Sequence, residues 1–144
     1  MSDADVAAIA AWLRSIPPVD NPVPAHELPW YLRSRWVMLV WNLLYFHSQP
    51  FQADQARDAE WNRGAYLVRG LGHCAGCHSA RNALGATGGD NDLTGGLIPM
   101  QNWYAPSLTA ASEAGVADWP VQHVVDLLKT GVSPRGSVMG PMAE

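Results

Sequence analysis

Three observations predict an all-α fold with long irregular loops for this 144-residue chain. Apolar residues recur at helical spacing in four stretches, each bounded by a capping residue, a proline or a glycine. No stretch alternates apolar and polar side chains as a half-buried strand does. Between the third and fourth helical stretches, Ser79 to Ala117 is glycine-rich and without period, which marks a functional loop or a segment wrapped around something.

The first helix opens at Ser2-Asp3-Ala4-Asp5, a hydroxyl with a carboxylate three residues on, which is a capping box. Val6, Ile9, Ala10 and Leu13 follow on one face, and Pro17-Pro18 stops the helix. Pro17 to Pro29 holds five prolines in thirteen residues and reads as an extended linker. Leu32 to Phe46 forms a second helix, closed by Pro50 and the polar stretch Gln52 to Asp58. A third helix runs from Ala59 to Gly72, with Ala65, Leu67, Val68 and Leu71 as core candidates. The fourth spans Pro120 to Thr130, turns Val121, Val124, Val125 and Leu128 inward, and stops at Gly131. Val132 to Glu144 reads as an irregular tail.

The composition describes one compact domain with extra elements, because 48% of residues are hydrophobic and only 15% charged. The net charge is −4, and Lys129 is the one lysine among nine basic residues, so no basic stripe supports a nucleic-acid partner. Low charge together with seven tryptophans points to a surface partly covered by another subunit or domain. The apolar run Trp36 to Phe46 is too short to span a membrane and suits a buried or interfacial helix. Met1 to Arg14 lacks the pattern of a signal peptide.

The chain's two cysteines stand in Cys74-Ala75-Gly76-Cys77-His78. This C-x-x-C-H arrangement offers two thiols at a spacing that fits addition to the two vinyl groups of a haem, and an adjacent imidazole as an axial ligand. On a helix, Cys74, Cys77 and His78 share one face. Two rivals remain. A zinc-stabilised interaction module needs four ligands where a lone C-x-x-C gives two, and His73 and His78 crowd the same ion. A thiol-disulfide oxidoreductase using Cys74 and Cys77 needs a βαβ setting. The sixth haem ligand is expected to be a thioether from Met100, Met139 or Met142. Met142 is favoured because Gly140-Pro141 stiffens its approach, and Met139 comes next. His26, His47, His73 and His123 read as solvent-facing or ordinary polar residues. Asp90 to Gly95 faintly resembles a calcium loop, but Gln101 stands where that loop needs glutamate.

Several separate segments resemble one family in the same order: Asn62 to Val68, Gly72 to Asn82, Trp103 to Thr109, Leu127 to Gly131 and Gly140 to Glu144. The family is the multihaem cytochrome c subunits of bacterial membrane-associated dehydrogenases acting on alcohols, aldehydes, sugar acids or N-heterocycles. The resemblance implies a class I cytochrome c-like domain carrying one covalent haem c. Cys74 and Cys77 would be its thioether sites, with His78 and Met142 as iron ligands and no catalytic residue. Arg81, Asn82, Trp103 and Tyr104 are candidates for contacts to the haem propionates, and Leu71, Leu84, Ile98, Leu108, Val124 and Leu128 for the pocket wall. By the same resemblance, residues 1–16 are the closing helix of a preceding haem domain or a surrogate for the missing one. Residues 17–57 are linker and connector helix, and residues 58–144 a haem domain without its C-terminal helix. The implied role is electron transfer within a dehydrogenase complex rather than catalysis. The implied partners are the catalytic subunit and neighbouring haem domains, in the periplasm, with membrane association only through the larger subunit.

Overall fold

A computed structural model of the chain describes residues 1–47, 49–89, 92–99, 101–109 and 115–143. The chain divides into two compact units, Met1–Asn62 and Arg63–Glu144.

The first unit holds helices α1 (Asp3–Ser15) and α2 (Arg35–Tyr45). The capping box of α1 forms as expected on its N-cap side, where the Ser2 hydroxyl accepts from the Asp5 amide at 3.2 Å and donates to the Asp5 carboxylate at 2.8 Å. Ile16, held extended by the proline after it, ends the helix. The expected second helix is interrupted. Trp30–Arg33 makes a single 3-10 turn, Ser34 is extended, and α2 begins only after it. Pro29 sets that first turn through its carbonyl, which accepts from the Leu32 amide at 2.9 Å. Most large apolar side chains here are exposed, among them Trp12, Trp36 and Leu43.

Helix α3 (Ala59–Tyr66) runs across the border between the units. Asp58 caps it, accepting from the Trp61 amide at 2.7 Å, and Asn62 binds back to the carbonyls of Asp54, Arg57 and Asp58. Its continuation, Leu67–Leu71, widens into a π-turn closed by a 2.6 Å hydrogen bond from the Gly72 amide to the Leu67 carbonyl. A methyl group on Gly72 would stand 3.0 Å from that carbonyl and 3.3 Å from Cys74 Sγ, so a side chain there would press on both. His73 then adopts a left-handed conformation at φ 49°, and the chain enters the short helix α4 (Cys74–His78).

The remainder is not all-α, and the expected absence of strands is corrected by two small antiparallel ladders. Strands β1 (Gly96–Ile98) and β2 (Trp103–Ala105) pair with Leu97 opposite Tyr104. Strands β3 (Val132–Ser133) and β4 (Gly136–Ser137) flank Pro134-Arg135, so the C-terminal tail is less irregular than its sequence suggests. Helix α5 (Val121–Thr130) follows its proline, which serves as N-cap, and ends at the left-handed Gly131 as its sequence requires. A 3-10 turn, Gly140–Ala143, closes the described chain. Helices still dominate. Among the described residues, no helix is long and apolar enough to cross a membrane.

Candidate functional site

The most buried part of the second unit is polar and surrounds the C-terminal end of α4. Ser79 and Ser107 are buried, as are the small apolar residues Ala86 and Ala105. The Ser79 hydroxyl donates to the Asp92 carbonyl, and the His78 carbonyl accepts from the Gly95 amide at 2.8 Å. Ser107 reaches the Leu93 carbonyl at 3.4 Å and accepts from the Thr109 amide at 3.2 Å, while the Leu108 amide bonds the same Leu93 carbonyl at 2.9 Å. The loop ahead of β1 and the segment after β2 are thereby tied to the residue at the end of α4.

That residue is His78. Its Nδ1 lies 2.8 Å from the carbonyl oxygen of Pro106, 28 residues away. A carbonyl can only accept, so Nδ1 donates to it and Nε2 is the nitrogen left to bind a metal. This fixes both tautomer and ring orientation, the arrangement a metal-bound imidazole requires. Cys74 is half-buried, Cys77 is exposed, and both are free thiols. On α4 they stand at i and i+3, with His78 at i+4, on a common face.

The other expected contact residues fall in two groups. Arg81 and Asn82 organise the loop after α4. The Arg81 guanidinium donates to the Gly76 carbonyl at 2.6 Å and the Gly85 carbonyl at 2.8 Å. The Asn82 side-chain oxygen accepts from the Leu84 and Ala86 amides at 2.9 and 3.1 Å. Trp103 and Tyr104 lie on β2, both half-exposed. Gln101, Trp103, Gly140 and Pro141 line one cleft. Met142 sits in the turn beyond that cleft, 54% exposed, and Met139 precedes it, 70% exposed. Met100, Asp90 and Asn91 lie outside the described residues. Asp92 spends its carboxylate locally, accepting from the Thr94 amide and hydroxyl. One histidine departs from expectation: Nδ1 of His123 on α5 is buried and has no hydrogen-bond partner among the described residues, so this ring is not simply solvent-facing.

Of the six expected wall residues, Leu71, Leu84 and Leu128 are exposed, and Ile98, Leu108 and Val124 are half-buried. The protein thus offers apolar surface at each of these positions, which suits a large apolar group. The donor set also fits a haem c: two free thiols at attachment spacing, an oriented imidazole and accessible thioethers. It fits zinc poorly. Among the described residues no three His, Cys, Asp or Glu side chains come together as a metal site. The parallel βαβ setting of a thiol oxidoreductase is likewise missing among the described residues, whose strands form only the two antiparallel ladders. Sequence reasoning missed Pro106, because a backbone carbonyl acting across 28 residues leaves no side-chain signal.

The chain as a whole is similar to known proteins. The chain is 36% identical over 152 aligned residues to the cytochrome c subunit of the alcohol dehydrogenase (quinone) of Gluconobacter oxydans, with all of this chain aligned. The chain is homologous to dehydrogenase cytochrome c subunits. It is also 35% identical, again along its whole length, to the fructose dehydrogenase cytochrome subunit of Gluconobacter japonicus. A subunit of the nicotinate dehydrogenase of Pseudomonas putida is 40% identical over 99% of the chain. The chain spans 32%, 30% and 12% of these three relatives, respectively. No protein-family model matches it. The likeness to cytochrome c subunits covers both units of the chain, the loops between α4 and α5 included.

Proposed function

We propose that this chain is a class I cytochrome c-like domain that transfers single electrons through one covalently bound haem c. The observation that carries the reading is the hydrogen bond from His78 Nδ1 to the Pro106 carbonyl, which leaves Nε2 as the ligating atom. Each thiol, at Cys74 and Cys77, would add its sulfur and proton across one vinyl group, so that no atom is lost. His78 and Met142 would hold the haem iron. When bound, the haem supplies a one-electron Fe(III)/Fe(II) couple.

The chain's own residues set the terms of that couple. Donation from Nδ1 makes Nε2 a stronger donor and holds the ring in one orientation. A thioether from Met142 favours the reduced state more than a second imidazole does. Around a bound haem the apolar side chains of Leu71, Ile98, Leu108, Val124 and Leu128 would exclude water and penalise the additional positive charge of the oxidised state. Arg81 and Asn82 hold the loop that follows the attachment helix and can place donors near haem carboxylates. None of these residues performs chemistry on an organic substrate. The domain is an electron-transfer component, with a dehydrogenase subunit or adjacent haem as donor and a respiratory acceptor beyond, in the periplasm.

A visible spectrum of protein made with haem-attachment machinery tests this. Sharp bands on reduction, retained after extraction with acidic organic solvent, are expected. A colourless protein after such expression would reject the reading.

A further inference from the structure

We propose that Trp103 is a positioning residue that holds the turn carrying Met142 in place to ligate. This inference rests on the assignment of Met142 as axial ligand and extends it to how the ligand is held. It starts from a close approach inside the second unit. A methyl group built on Gly140 would stand 2.9 Å from Cδ2 and Cε2 of the Trp103 indole and 3.0 Å from its Cε3. The ring face therefore lies directly against the Gly140 backbone. The same two residues line the cleft completed by Gln101 and Pro141. Gly140 has φ +56°, a left-handed conformation that also disfavours any side chain there. Both steric conditions are met only by glycine.

What this contact joins makes it more than ordinary packing. Trp103 begins β2, whose last residue, Ala105, is buried and is followed by Pro106, the acceptor for His78 Nδ1. Gly140 begins the turn Gly140–Ala143 that includes Met142. One four-residue segment, Trp103 to Pro106, thus touches the imidazole through its carbonyl end and the thioether-bearing turn through its indole end. The β1–β2 pairing and the Leu93–Leu108 hydrogen bond keep that segment fixed. A thioether is a weak ligand, and its hold on the metal depends on how little entropy the bearing turn loses on binding. A flat indole against a glycine restrains the turn, and Met142 stays 54% exposed.

Equilibrium competition by imidazole for the ferric site of the haem-loaded full chain reads this directly. Covalent haem content is checked in every sample, and the methionine charge-transfer band is followed in parallel. Trp103→Ala should bind imidazole about tenfold more tightly than the parent, the change that a loss of one tenfold step in the competing equilibrium produces. Its charge-transfer band should fade at temperatures where the parent keeps it. Trp103→Phe, which retains a flat ring against Gly140, should stay close to the parent. Gly140→Ala, which drives a methyl into the indole, should shift in the same direction as Trp103→Ala. Parent-like affinity and band in Trp103→Ala, or a Phe variant as perturbed as the Ala variant, would overturn the positioning role. Met142→Ala separates the two claims. Loss of the band in Met142→Ala beside a parent-like Trp103→Ala removes the positioning role alone. A parent-like Met142→Ala overturns the ligand assignment, and the positioning role with it.

Discussion

His78 has two ring nitrogens with different neighbours, and that asymmetry carries most of the functional argument. Nδ1 is committed to the Pro106 carbonyl at 2.8 Å, so any metal must approach through Nε2. The thioether proposed as its counterpart, on Met142, is distinguished from Met139 by substitution. Met142→Ala should abolish the Fe(III)–methionine charge-transfer band and lower the reduction potential, since a thioether stabilises the reduced form. Met139→Ala should leave both unchanged, and the reverse pattern would move the ligand to Met139. Arg81 and Asn82 have a structural task beside the proposed propionate contacts. Their types suggest propionate donors, whereas their hydrogen bonds build the loop from Gly76 to Ala86. Arg81→Ala should therefore loosen that loop and speed proteolysis within it, measurable by limited digestion of the haem-loaded protein. A digestion pattern identical to the parent's would remove this structural role.

At the scale of elements, legibility followed the strength of periodicity. Helices α1, α3 and α5 were readable because caps, prolines and a closing glycine agreed with the apolar spacing. The break at Ser34 was not, because one extended serine interrupts an otherwise continuous apolar pattern without altering it. The four strands were invisible for a simpler reason: segments of two or three residues are too short to display an alternating pattern. The site was legible where a side chain acts, at Cys74, Cys77 and His78, and hidden where the backbone acts, at Pro106 and Gly95. The π-turn at Leu67–Leu71 leads directly into α4, the helix that carries both cysteines. A methyl at Gly72 would meet the Leu67 carbonyl at 3.0 Å, so Gly72→Ala must shift the entry to α4. Overpacking of this kind costs about 1–3 kcal/mol, and the variant should melt several degrees lower with reduced haem attachment. Unchanged melting and attachment would show that the turn tolerates a side chain.

At the scale of the molecule, the chain presents two units with few buried apolar residues and many exposed ones, including Trp12, Trp36 and Leu43 in the first and Leu84 and Leu128 in the second. The proposed haem would supply the core that these side chains do not form among themselves, which would link stability to attachment. We propose that α1, which by the family resemblance looks like a closing helix of a haem domain, packs its Val6, Ile9 and Leu13 face against apolar side chains of this chain. Side chains of this size contribute about 1.5–3 kcal/mol each when fully buried. Deleting residues 1–16 should then lower the melting temperature of the haem-loaded protein, and an unchanged value would restrict α1 to its own unit. All of this depends on one covalent event at one five-residue helix. Denaturing mass spectrometry after alkylation measures that event most directly. The account predicts a single species with one haem added per chain and no alkylated thiol. A polypeptide of unmodified mass that takes up two alkyl groups, at Cys74 and Cys77, would contradict it.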